Sequence, residues 1–393
     1  MSNSNGYMKF SNRALDIEPF RVVEVLTRAK ELARQGREII HLSVGEPDFP
    51  TATPILEAGI RALSGGATGY SEVGGIPELR NALSKFYAED YGLDVAPERI
   101  LITPGASGGL LLICALLLNP QDTMLVTDPG YPCNRSFMRL IEAKAQLVPV
   151  TAQDNFQLTP ELVTKYWRES TVGAMVASPS NPTGTTLKKD ELRAISQQVK
   201  KLGGQLIVDE IYHGLGFEKN LPSVLEIDPD VFVVNSFSKY FGMTGWRLGW
   251  LVAPEVAVKE MEKLAQHLFI SSSPPAQYAA LACFDEKTRF ILDERKEVFR
   301  NRRDFLLPAL SSLGFSVPCP PEGALYIYSD ASKFTEDSDF FCMDLLEKQG
   351  VAVTPGRDFG FIGAKQHVRF AYTADLEQLS SAVDRIATYS SLI

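Results

Sequence analysis

Seven short apolar runs place the strongest constraint on what this chain can fold into. They lie at 100–103, 124–127, 147–150, 172–177, 206–208, 231–234 and 248–252, separated by stretches with helical spacing. None alternates apolar with polar residues as a strand with one wet face would. Apolar strands spaced by helices predict a mostly parallel sheet covered by helices on both faces. Gly/Pro-rich turns follow three of the runs, at Pro104-Gly105, Asp128-Pro129-Gly130 and Ser178-Pro179-Ser180-Asn181-Pro182. In open α/β sheets ligands bind at that carboxyl-terminal edge.

The rhythm changes after about Cys283. A charged helix is expected over 286–312, then short strands at 324–329, 351–354 and 368–372 with two further helices. Ahead of the sheet, 20–36 carries apolar residues at helical spacing, and Gly36 stands where a C-cap belongs. The 393 residues thus divide into a large α/β unit, 45–283, and a smaller α+β unit built from 1–44 and 284–393.

Composition narrows the function. The charge sum is 39 − 48 = −9 with no Lys/Arg run, a poor match to nucleic acid or an anionic membrane. The longest apolar run, 110–118, has nine residues, far short of the roughly 20 that span a bilayer. The first ten residues lack a secretory h-region. Five scattered cysteines without CxxC spacing suit free thiols in a reducing compartment, hence a cytoplasmic protein. Four histidines lie far apart and no HExxH occurs, so no metal site is expected. The expected partners are small molecules.

Three segments carry chemistry. Gly105-Ala106-Ser107-Gly108-Gly109 follows a strand and opens an apolar helix. It fits a tight strand–helix turn, a phosphate site at a helix start, or the GxSxG elbow of a hydrolase. Asp209-Glu210-Ile211-Tyr212 ends an apolar strand with two acids and a phenol. It reads as a solvated strand end or as an anion held against a ligand's cation. The most specific segment is Ser236-Phe237-Ser238-Lys239 with Arg247 eight residues on. A lysine in apolar surroundings is driven toward the neutral amine that a Schiff-base nucleophile needs. Arginine with two hydroxyls suits a phosphate dianion. A lysine that merely snorkels from a strand end leaves that combination unexplained.

In order along the chain, these segments join Ser43-Val44-Gly45-Glu46-Pro47-Asp48-Phe49, Ser178-Pro179-Ser180-Asn181-Pro182-Thr183-Gly184, Thr244-Gly245-Trp246-Arg247, Pro321-Glu322-Gly323-Ala324 and Val368-Arg369-Phe370. From about Ile17 to its end the chain resembles the class I/II aminotransferases, which are pyridoxal phosphate enzymes of fold type I. The resemblance implies a role for each residue. Lys239 would bind the cofactor covalently and move the proton between the substrate Cα and the cofactor. Asp209 would keep the ring nitrogen protonated, while Tyr212 and Asn181 would donate to the ring oxygen. Ala106, Ser107, Ser236, Ser238 and Arg247 would hold the phosphate, and Tyr131 would stack on the ring. Arg369 would take the substrate α-carboxylate, with Gly45 and Asn181 beside it. Tyr70 would reach the phosphate of a neighbouring subunit, which implies a homodimer with shared sites. Taken without the resemblance, Arg369 is equally a sheet-edge charge, Tyr131 a turn aromatic and Tyr70 a core aromatic.

The implied reaction moves an amino group from an L-amino acid to a 2-oxo acid such as 2-oxoglutarate or pyruvate. Aspartate-specific relatives carry a lysine where Ser107 stands, and 266–275 contains no arginine. An uncharged donor side chain is therefore expected. Three rivals remain at this stage. One is a pyridoxal phosphate C–S β-lyase on the same fold. Another is a serine hydrolase pairing Ser107 with His213, His267 or His367. The third is a cofactor-binding regulator without catalysis, for which the N-terminal segment is too short and not basic.

Overall fold

The computed structural model describes residues 8–217 and 221–391. After the short strand β1 (Ile40–His41), seven strands build the main sheet: β2 (Ile100–Thr103), β3 (Thr123–Asp128), β4 (Lys144–Pro149), β5 (Thr171–Ala177), β6 (Gln205–Asp209), β7 (Phe232–Ser236) and β8 (Gly249–Val252). Their spatial order is β2-β8-β7-β6-β5-β3-β4. All pairings are parallel except those of β8, which runs against both β2 and β7. This is the expected mostly parallel α/β sheet. Its central strands are buried almost end to end, which is why they read as continuous apolar runs.

β4 begins three residues earlier than its apolar run. Lys144-Ala145-Gln146 continues the pairing with β3, and its polar character hid it. Helices flank both faces, and the apolar one, Gly105–Leu117, packs on β7 and β8. Its first turn reaches the sheet edge only because residue 249 is glycine. A Cβ at Gly249 would lie 2.7 Å from the Gly105 carbonyl carbon and 2.8 Å from the Ala106 nitrogen.

The C-terminal part forms a second, three-stranded antiparallel sheet from β9 (Tyr326–Asp330), β11 (Thr354–Pro355) and β12 (His367–Ala371). Between them β10 (Val351–Ala352) pairs in parallel with β1. The strand expected over 351–354 is thus two strands that change partners at Val353. The strand expected from 324 starts at Tyr326, because Ala324 has φ +63° and cannot continue an extended ladder. The long charged helix runs Glu286–Leu313.

The N-terminal helix Arg21–Arg34 buries Val25, Ala29 and Leu32, one stripe at helical spacing. It packs on the helix Ser338–Gln349. No side chain of its own caps its start. The Asp358 carboxylate does so from across the chain, accepting from the Arg21 and Val22 amides at 2.7 and 2.9 Å. That places a carboxylate on the positive end of the helix dipole.

Candidate active site

The C-terminal ends of the parallel strands meet above one cavity of about 280 Å³. β6 ends in Asp209 and β7 in Ser236, while β5 leads through Ala177 to Asn181. β2 leads into the helix that carries Ala106 and Ser107, and β3 leads to Tyr131. Because β8 runs the other way, Arg247 just before it falls at the same edge. The topology alone therefore gathers residues up to 349 positions apart (Phe20 to Arg369) around one space.

Asp209 lies on the floor, 6% exposed. One carboxylate oxygen accepts the Ile211 amide at 3.0 Å. Burial pushes its pKa up to about 6, against the lowering effects of that amide and of Lys239. Lys239 is half-buried, and its Nζ donates to the Gly45 carbonyl at 2.8 Å. Tyr212 is buried, with its hydroxyl 2.7 Å from that of Tyr326. Burial raises its pKa, as does the neighbouring Tyr326, so the phenol keeps its proton.

Arg369 is 5% exposed and sits between the rings of Tyr326 and Phe359, its Cζ 4.0 and 4.5 Å from their centroids. It donates to the Asn181 side-chain oxygen at 2.8 Å and to the Ser43 carbonyl at 2.7 Å. The Asn181 amide group is thereby turned to face the other way as a donor. The Arg369 Nε is buried without a partner.

On the opposite side the helix Gly105–Leu117 has no side-chain cap. Its first amides, at Ala106 and Ser107, are free for an anion. Arg247 adopts left-handed backbone angles, φ 55° and ψ 50°, an unusual state for arginine. Its Nη1 is tied to the Thr244 carbonyl at 3.0 Å. A Cβ at Gly105 would stand 2.6 Å from its Nη2, so glycine there lets the guanidinium reach the helix start. Ser236 Oγ accepts the Ser238 amide at 3.0 Å, which fixes the turn before Lys239.

Among the described residues, no carboxylate lies within 4.0 Å of Lys239, Arg247 or Arg369. Three cations without ionic partners share the cavity with two buried acids, Asp209 and Asp358, the second already bound by the Arg21 and Val22 amides. Asp209 and Arg369 are costly to bury without an ionic partner, Lys239 is half-buried and Arg247 is exposed, and the set suits a ligand with two anionic groups and a basic ring atom.

Every residue expected at the site lines this cavity except Tyr70, which is 84% exposed and lies elsewhere on the surface. No described histidine lines it, and His213 is buried against Tyr91, which leaves the Ser107 elbow without a base. The described residues contain no cluster of three metal-ligating side chains. Sequence reasoning missed Tyr326, Phe20, Asp358 and Phe359, all of which line the cavity. For Tyr326 the signal was faint but present, since it follows Pro321-Glu322-Gly323-Ala324 by two residues.

Comparisons with known proteins identify the family and the fold. The sequence model of the family described as aminotransferase class I and II matches residues 37–386. The valine–pyruvate aminotransferase of Mycobacterium tuberculosis is 34% identical over 375 residues, covering 95% of this chain and 96% of that protein. The aspartate/prephenate aminotransferase of Thermus thermophilus is 34% identical over 380 residues, covering 96% and 97%. The crystal structure of an aminotransferase from Mycobacterium tuberculosis superposes with a TM-score of 0.95 at 34% identity, covering 98% of this chain and all of that one.

The buried Asp209 makes a stability prediction. Between its ordinary 3.8 and about 6, the folded chain holds a proton that the unfolded chain releases. Stability of the cofactor-free protein therefore falls as pH rises through that window, and the full penalty stands above it. At about 1.4 kcal/mol per pH unit the penalty is on the order of 3 kcal/mol. Asp209→Asn, which retains an oxygen for the Ile211 amide, should stabilise the cofactor-free protein by up to that amount at pH 8. Near pH 3.5 the gain should vanish. Urea unfolding at the two pH values checks this, and a variant less stable than the parent at pH 8 contradicts it.

Proposed function

The chain belongs to the class I and II aminotransferase family, and from that premise we propose that it moves the amino group of an amino acid with an uncharged side chain to a 2-oxo acid. It is a transaminase that uses pyridoxal 5′-phosphate. When bound, the cofactor supplies a carbonyl that takes up the amino group and a ring that accepts the electron pair left at the substrate Cα.

The residues fit that group. The uncapped first turn of Gly105–Leu117, the hydroxyls of Ser107, Ser236 and Ser238 and the Arg247 guanidinium make a dianion cradle. Tyr131 offers a ring face to stack on. Asp209, buried and acidic, would keep a pyridine nitrogen protonated at the far end. Tyr212 and the outward-facing Asn181 amide would donate to the ring oxygen.

Lys239 would then carry the proton to and from the substrate Cα, since it lines the cavity with its Nζ 5.9 Å from the centre of the Tyr212 ring. Arg369, with its buried unpartnered Nε, would take the α-carboxylate and so orient the Cα–H bond. Gly45 would contribute its backbone beside that carboxylate. Residue 45 must be glycine, because a Cβ would fall 1.7 Å from the Tyr326 hydroxyl.

The observation that carries the choice of donor is the wall beyond Arg369. It is made of Phe20, Val22, Val44 and Phe359, and among the described residues the cavity lining has no cation other than Lys239, Arg247 and Arg369. Each of those already has an assigned anion or proton. A carboxylate buried among the apolar residues would cost several kcal/mol. The names of the relatives, valine–pyruvate in one case and aspartate/prephenate in the other, are compatible with either kind of donor. The decision therefore rests on the wall.

Measured with pyruvate as acceptor, kcat/KM for aspartate should fall about tenfold or more below the best of alanine, valine and phenylalanine. Aspartate winning by that margin contradicts the neutral-donor reading. The exposed Tyr70 supports a shared dimer site, because a phenol outside this chain's own cavity is free to reach the phosphate of a neighbouring subunit. Sedimentation should find a holoenzyme dimer, and Tyr70→Phe should release cofactor several-fold more readily. An active monomer contradicts the shared site.

A further inference from the structure

A second cavity, of about 720 Å³, opens beside the first and shares Phe20, Pro132 and Asp358 with it. Its charge opposes that of the molecule. The chain carries −9, yet this cleft is lined by six cationic side chains, Arg21, Arg135, Arg139, Lys144, Arg357 and Lys365, against three acidic ones. Four of its nine charged side chains pair with carboxylates or arginines at the rim: Arg21 with Asp339, Arg139 with Asp16, and Arg357 with Asp339. Among the described residues Arg135 has no carboxylate within 4.0 Å, although it is half-buried.

Arg135 is held in place without a direct ion pair, although the carboxylates of Asp128, Asp358 and Glu18 lie near enough to act on its charge. It donates to the Asp358 carbonyl at 3.2 Å, and its guanidinium lies 4.7 Å from the centre of the Phe361 ring. The Asp358 carboxylate is already bound to the Arg21 and Val22 amides. The Asp128 carboxylate, also near, accepts the Phe361 amide. Arg135 lies three residues after Pro132 in the helix Pro132–Leu140, so it shares the face that lines both cavities. Arg369 stacks on Phe359 and Arg135 bonds to Asp358. The two guanidiniums are thus anchored on consecutive residues, whose Cα atoms stand about 3.8 Å apart.

We propose that Arg135 and the basic cleft around it bind the second anionic group of a substrate whose α-carboxylate sits on Arg369. The substrate class is a 2-oxo acid with a carboxylate or phosphate a few carbons beyond the reacting centre. This rests on the aminotransferase reading and deepens it. The amino donor meets the apolar wall, and the dianionic acceptor reaches past it. Aspartate, with one methylene between Cα and its carboxylate, is too short to do the same. A planar bidentate donor held on a ring is the geometry that distinguishes such an anion from solvent. The surrounding positive cleft raises its encounter rate.

Calorimetry on the holoenzyme with unreactive ligands tests the proposal without turnover. The probes are glutarate, butyrate as its monoanionic counterpart, and 4-phosphonobutyrate. In the parent, glutarate or the phosphonate should bind about tenfold or more tighter than butyrate. Arg135→Gln should remove most of that preference and leave butyrate within about twofold, while Arg135→Lys should fall between. The tighter of the two dianions names the distal group, and either supports the site. The proposal is overturned if the parent shows no preference, or if Arg135→Gln weakens butyrate as much as the dianions, which is how a purely structural arginine would behave. Failure of the neutral-donor reading would appear instead in the amino-donor comparison, which these affinities do not involve.

Discussion

Unpaired charge gathered at one edge of a sheet, part of it buried, is the constraint on which the rest of this structure depends. Asp209, Lys239, Arg247 and Arg369 face one small cavity, and the chain gives none of them an ionic partner there. A protein selected for stability alone would pair or remove such groups. Here the fold spends its connectivity on keeping them apart yet within reach of one ligand. β8 runs antiparallel so that Arg247 joins the edge, and Gly105 and Gly249 give up their side chains to bring the helix start to it.

The same logic couples the site to its surroundings. Tyr326 touches the hydroxyl of Tyr212 and underlies Arg369, so it ties the ring-oxygen donor to the carboxylate binder. It can do so because of the sheet register. Arg369 lies opposite Tyr328, and Tyr326 lies opposite Ala371, which makes Tyr326 and Arg369 diagonal neighbours on one face. Asp358 plays a comparable part on the other side. It caps the N-terminal helix through its carboxylate and holds Arg135 through its carbonyl. The N-terminal segment that brings Phe20 and Val22 to the cavity is therefore anchored by the residue that anchors the basic cleft.

Much of this was legible in the sequence because it is local. Lys239 sits in a run where Ser236, Ser238 and Arg247 lie within eleven positions of one another, and Asp209 and Tyr212 occupy one turn. The seven apolar runs announced the sheet because parallel strands are covered on both sides. Tyr326, Asp358 and Arg135 were not legible. Tyr326 belongs to an aromatic strand that reads as core, and its contacts exist only through the β9–β12 register. Asp358 caps a helix more than 330 positions away. Arg135 is one arginine on an amphipathic helix with nothing in its local sequence to single it out, and only the cavity beside it gives its missing partner a meaning. β4 was read short for a simpler reason, since two of its first three residues, Lys144 and Gln146, are polar and their pairing with β3 leaves no trace in hydropathy.

The central claim is that these charges are reserved for one cofactor, with Lys239 as the residue that binds it covalently. The purified holoenzyme, reduced with borohydride and digested, should yield a single peptide carrying the reduced cofactor, and that peptide should contain Lys239. Label on any other lysine, or an unlabelled protein whose transaminase activity survives Lys239→Ala, would contradict the account.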